Sequence, residues 1–186
     1  MPLTIPVILT LLRIALIPVL LIVFYAPTSW ASEASAAVFA LAGLTDWLDG
    51  YLARRLGQET AFGAFLDPVA DKLMVAVALI VLVQHDPTPW LAVPAAVIVG
   101  REITISALRE WMAELGERAN VAVSVIGKIK TTAQMMAITL MLYQDPIMSM
   151  DTYEVGFTLL YVAAVLTLWS MVVYLRAAWP SLTRSR

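Results

Sequence analysis

The sequence predicts an all-α, polytopic membrane protein with six transmembrane helices and both termini in the cytoplasm. Three observations predict it. Of 186 residues, 61% are apolar, about 113 side chains, while only 14% are Asp, Glu, Lys or Arg. A hydrocarbon span needs roughly 20 apolar residues, so this total supplies five or six spans. The basic residues also fall on alternate connections, as an even number of crossings requires. A soluble globule and a disordered chain are both excluded by this composition.

The spans are bounded by Pro, Gly or charge and fall near 4–26, 34–55, 62–84, 89–112, 121–143 and 153–177. The first could be mistaken for a cleaved secretory signal, since Ala31-Ser32-Glu33-Ala34-Ser35-Ala36 offers small residues for cleavage. No basic residue precedes Arg13, however, and the apolar run is long for a signal, so it reads as a span. Short loops leave no room for a second domain, so residues 1–186 read as one membrane-embedded catalytic domain. The loops near 27–33, 85–88 and 144–152 hold no Lys or Arg, only Glu33, Asp86, Asp145 and Asp151. The other side holds Arg54, Arg55, Arg118, Arg184 and Arg186, which places it in the cytoplasm. Trp30, Trp90, Trp111 and Trp179 fall near span ends, as aromatic belts do.

Composition also excludes chemistries. There is no Cys, so disulfides and thiolate sites are out, and His85 is the only histidine. A net charge of −2 gives no footprint for nucleic acid, and none is expected as a partner.

The second and third spans carry four acids in 26 residues: Asp46, Asp49, Asp67 and Asp71. A charge inside a membrane helix costs about 2.5 kcal/mol or more, so these acids need compensation. Asp46 and Asp49 are three apart and share a helix face; Asp67 and Asp71 are four apart and share another. The short linker from Arg55 to Phe62 makes the helices antiparallel neighbours, so the pairs are expected to face each other near the cytoplasmic end. Facing carboxylates repel unless cations lie between them. With no Cys and a distant His85, this all-oxygen set suits Mg²⁺ or Mn²⁺, two per site when they clamp a transferring phosphate. Gly50, Ala53 and Gly63 leave a smooth patch where a base or pyrophosphate can approach backbone; close helix packing is the alternative reading of each glycine. Arg54 stands at the same end and can neutralise phosphate. Asp67-Pro68 is expected to start a kink or a first turn.

The pattern D-x2-D-G-x2-A-R-x8-G-x3-D-x3-D resembles the signature of the CDP-alcohol phosphotransferases. All eight fixed positions are present: Asp46, Asp49, Gly50, Ala53, Arg54, Gly63, Asp67 and Asp71. The likeness is nearest to a bacterial branch that uses glycerol 3-phosphate, through the stretches from Ile5 to Arg13, from Gly100 to Glu110 and from Val123 to Gln134. Thr4 departs from that branch, which usually has Asn there.

The resemblance implies the CDP-alcohol phosphotransferase fold, a homodimer, and a bacterial cytoplasmic (inner) membrane with the active site at its cytoplasmic face. It implies CDP-diacylglycerol as donor, sn-glycerol 3-phosphate as acceptor, and phosphatidylglycerophosphate and CMP as products. Asp46, Asp49 and Asp67 then become metal ligands, and Asp71 is shared between metal and general base. Thr10, Arg13, Gly50, Ala53, Arg54 and Gly63 fall to the donor, although Arg13 reads equally as an interfacial residue. Arg109, Lys128, Arg101 and Lys130 fall to the acceptor phosphate; for Arg101 the alternative is pairing with Glu102 or a motif carboxylate, and for Lys130 snorkelling. Two rivals remain. One is another acceptor in the same family: inositol phosphate, serine or a phosphatidyl lipid. The other is a divalent-cation or proton-coupled transporter, against which the one-sided acids and the lack of a repeat both count.

Overall fold

The computed structural model describes residues 4–57, 60–114 and 125–183, with side chains set aside at 125–128, 178 and 180–183. Six helices follow in order: α1 (Ile5–Phe24), α2 (Ala31–Leu56), α3 (Ala61–His85), α4 (Pro89–Glu114), α5 (Val125–Tyr143) and α6 (Thr152–Thr183). No strand occurs among the described residues; the one backbone bridge joins Ile147 to Met150 in the α5–α6 turn.

Local chemistry sets the boundaries. Pro6 stands in the first turn of α1, where its missing N–H leaves nothing unpaired. Gly57 ends α2 at φ +61°, a left-handed conformation that only glycine adopts without strain. Thr60 caps α3, its hydroxyl accepting from the Gly63 N–H at 3.0 Å. Pro68 does not begin that helix: it stands in the second turn of α3, which continues through it to His85. The expected first turn is supplied by the Thr60 cap instead.

Three helical segments, Ile5–Phe24, Pro89–Glu114 and Thr152–Ala177, are long and apolar enough to cross a membrane. The other three, α2, α3 and α5, are 26, 25 and 19 residues long and carry the acids and the lysines. Large apolar side chains face outward, as lipid contact demands: Ile22 is 71% exposed and Val165 64%. Inside, Phe39, Leu79, Leu82, Ile98, Ile138 and Leu160 interleave with small residues such as Ala42, Ala78 and Ala163, which let the backbones approach. Gly156 shows how close: a Cβ there would stand 2.8 Å from the Ala137 carbonyl oxygen of α5.

The helices alternate in direction. Thr10 of α1 meets Asp67 of α3, and Phe24 meets His85 edge-on at 6.0 Å, so α1 and α3 run parallel. Tyr161 donates to the Trp90 carbonyl, Arg101 reaches Ser170 and Arg109 reaches Tyr174, so α4 and α6 run parallel. One end of the bundle is closed by Tyr153, which donates to Asp86 at 2.7 Å. The motif acids lie toward the other end. α2 and α3 are antiparallel neighbours as the short linker predicts, and over their whole lengths α1 packs more extensively against each of them than they pack against each other. Thr10 and Arg13 project from α1 at this junction, and their polar atoms find partners on the helices to either side.

Candidate active site

Arg13 is the centre of the acidic cluster. It is 1% exposed and forms ion pairs with Asp46 Oδ1 at 2.9 Å and Asp49 Oδ2 at 2.5 Å. Its Nη2 donates to Asp49 along a good hydrogen-bond direction; Nη1 lies beside Asp46 off that direction, and Nε has no partner. The interfacial reading of Arg13 therefore falls: a guanidinium this deep is held by charge, not by headgroups. Thr10, buried one turn earlier, places its hydroxyl within reach of both the Pro6 carbonyl, at 3.1 Å, and the Asp67 carboxylate. Thus α1 grips an acid-bearing face on each neighbouring helix.

The four acids differ in setting. Asp46 is 48% exposed, Asp49 only 2%, and Asp67 and Asp71 are half-buried. Asp49 lies within electrostatic reach of Asp46 and Asp67, and Asp71 within reach of Asp46. The acids of α2 are therefore within reach of those of α3, and α1 bridges the two helices through Arg13 and Thr10. Among the described residues no three acidic or histidine side chains stand at metal-holding spacing. The donor set itself fits a hard divalent cation: it offers carboxylate oxygens alone, answered at the cluster's heart by one guanidinium and one neutral hydroxyl.

The glycines separate into two roles. Gly63 is buried, and a Cβ there would stand 3.1 Å from the Thr60 hydroxyl and 3.4 Å from Val7 of α1, so its smallness serves packing and the cap. A Cβ on Gly50 would meet only the Arg54 guanidinium, at 3.6 Å. That face of α2 is open, Ala53 continues it, and the exposed Arg54 folds over it. A nucleotide or pyrophosphate can approach there.

The basic residues also separate. Arg101 pairs with Glu102 Oε1 at 2.7 Å, the alternative raised for it from sequence, and donates to Ser170 at 3.2 Å. Lys130 pairs with the same Glu102 oxygen at 2.8 Å; it is buried and does not snorkel. Arg109 is exposed, donates to the Tyr174 hydroxyl at 2.6 Å and lies over that ring at 5.0 Å from its centre. The side chain of Lys128 lies outside the described residues. The sequence offered Glu102 only as a partner for Arg101, and gave no role to Ser170 or Tyr174. Adjacency to Arg101 was a signal for Glu102; nothing in the apolar run of α6 marked the other two.

The sequence profile of the CDP-alcohol phosphatidyltransferase family matches residues 3–169. The chain belongs to this family. Family membership sets the transporter reading aside. The CDP-diacylglycerol–glycerol-3-phosphate 3-phosphatidyltransferase of Salmonella choleraesuis is 56% identical over 178 residues, covering 96% of each chain. Proteins of the same name from Shigella flexneri serotype 5b and Escherichia coli K12 are 55% and 54% identical over the same coverage.

Proposed function

We propose that this protein transfers the phosphatidyl group of CDP-diacylglycerol to sn-glycerol 3-phosphate, giving phosphatidylglycerophosphate and CMP. One observation carries the reading: all eight signature positions occur at family spacing in a chain 54–56% identical, over 96% of its length, to phosphatidyltransferases named for this reaction. The chain spans a bacterial inner membrane six times. Both termini and the acidic end face the cytoplasm, where donor headgroup and soluble acceptor meet. The basic connections support this orientation. A homodimer is the assembly expected of the family.

The residues divide the work. The Gly50–Ala53 face admits the cytidine diphosphate, and Arg54 answers its phosphate charge. Asp46, Asp49 and Asp67, with Asp71, would hold Mg²⁺ or Mn²⁺. When bound, these ions neutralise charge that develops on the transferring phosphate and on departing CMP. Asp71 takes the proton of the acceptor hydroxyl as its oxygen attacks the lipid-bearing phosphorus. Arg109, Lys128, Arg101 and Lys130 gather the acceptor phosphate. No side chain forms a covalent link to the lipid in this scheme.

The test is CMP release by purified protein in detergent, with CDP-diacylglycerol and glycerol 3-phosphate, inositol phosphate or serine in parallel. Release with glycerol 3-phosphate alone, abolished by EDTA and restored by Mg²⁺ or Mn²⁺, is expected. Release with inositol phosphate instead would change the acceptor, and release that ignores EDTA would remove the metal.

A further inference from the structure

The densest buried charge outside the acidic cluster lies where α4, α5 and α6 meet. A single oxygen, Glu102 Oε1, accepts from Arg101 Nη1 at 2.7 Å and from Lys130 Nζ at 2.8 Å. The two cations come from different helices and are 9% and 5% exposed. Arg101 Nη2 extends the set to Ser170 of α6 at 3.2 Å. Two like charges at this separation repel, and in a poorly hydrated setting the repulsion is little screened. The Lys130 stem is flexible enough to swing toward water if released. Glu102 is what keeps it beside Arg101.

Three polar atoms around this junction are buried without a partner. They are Arg101 Nε, Gln134 Oε1 (one turn beyond Lys130 on α5) and Thr167 Oγ1 (three residues before Ser170 on α6). Buried polar atoms are normally paired, so the unpaired Arg101 Nε–H leaves a donor free for an anionic ligand. Two cations and one anion leave one net positive charge, which draws an anion without dispersing the side chains. The junction is also tied to the acids, since Asp71 lies within electrostatic reach of both Glu102 and Lys130.

We propose that Glu102 is a positioning residue for the acceptor. Its carboxylate gathers Arg101 and Lys130 into one phosphate-binding subsite, and so governs use of the phosphorylated alcohol and not of the lipid donor. The proposal rests on the reading that the acceptor carries a phosphate. Glu102 touches neither substrate; it acts through the two cations it holds. Arg101 is held by Glu102 and Ser170 through its two Nη atoms, which leaves Nε unpaired, and a phosphate oxygen is an acceptor that atom lacks.

The experiment is steady-state kinetics of the full chain in detergent, varying glycerol 3-phosphate at saturating CDP-diacylglycerol and then the reverse. In Glu102→Gln the KM for glycerol 3-phosphate should rise about tenfold, the loss of one charge-assisted contact, with kcat within about threefold and the donor KM unchanged. Glu102→Asp, which keeps the charge one methylene shorter, should recover most of the loss. An unchanged or lowered acceptor KM overturns the proposal, as does a parallel rise for donor and acceptor, which a merely structural role would give. If the Gln variant does not survive extraction, the same split in Glu102→Asp, about threefold, decides the matter, and its absence overturns the proposal. Wild-type protein that releases no CMP with glycerol 3-phosphate overturns the functional reading and the role of Glu102 with it. Wild-type turnover beside an unmoved acceptor KM in the Gln variant overturns the role of Glu102 alone.

Discussion

Arg13 of α1 and Asp49 of α2, 36 positions apart in the chain, form a buried ion pair at 2.5 Å, with side chains 1% and 2% exposed. Removing one partner of such a pair leaves an uncompensated buried charge, which costs about 3–5 kcal/mol. Arg13→Met should therefore lower the melting midpoint of the metal-free protein by many degrees, and Arg13→Lys by less. The measurement is thermal unfolding in detergent with EDTA present. An unchanged midpoint in the Met variant would mean that the acids compensate each other in some other way.

Thr10 is the matching contact on the other side of α1. Thr10→Val keeps the shape and removes the hydroxyl that meets Asp67. A carboxylate that loses such a donor is destabilised by about 1–3 kcal/mol, so kcat/KM should fall roughly tenfold or more while the fold survives. Kinetics with both substrates, beside a melting curve, would check this.

Asp71→Asn separates the two roles given to that residue. Its amide oxygen still coordinates weakly, so Mn²⁺ binding followed by electron paramagnetic resonance should be largely retained. CMP release should collapse. Full turnover in this variant would take Asp71 out of the proton transfer.

Lys128→Ala should raise the KM for glycerol 3-phosphate more than it weakens nucleotide binding. Titration with CMP and kinetics with the acceptor give the two numbers. An acceptor KM that stays put would move the phosphate pocket away from the start of α5.

Gly156→Ala probes the packing alone. The added carbon would stand 2.7 Å from Met141 Cγ and 2.8 Å from the Ala137 carbonyl oxygen, and backbone cannot yield cheaply. A loss of about 1–3 kcal/mol is expected, with substrate KM values unmoved. Thermal unfolding beside kinetics measures both.

Much of the site was legible in one dimension because helical spacing is rigid. Acids three and four apart must share faces, and apolar runs must end at Pro, Gly or charge. The six helices accordingly lie close to the spans read from hydropathy. Less was legible for residues whose role depends on the opposite helix. Arg13 and Thr10 were ascribed to the donor, and the structure shows their polar atoms engaged by acids 36 and 57 positions away. Gly63 has a packing neighbour in Val7 that no local pattern announces.

The sequence by itself determined the helical class, the position of the acids, the identity of their oxygen donors and the family signature. Each of these follows from residue type and spacing along one chain. Only the tertiary structure decided that α1 bonds to acids on both α2 and α3 and that Glu102 binds two cations at once. Those outcomes depend on which faces pack together, and in a bundle of uniformly apolar helices the hydrophobic pattern leaves that choice open. Close fit and a few buried charges make it instead.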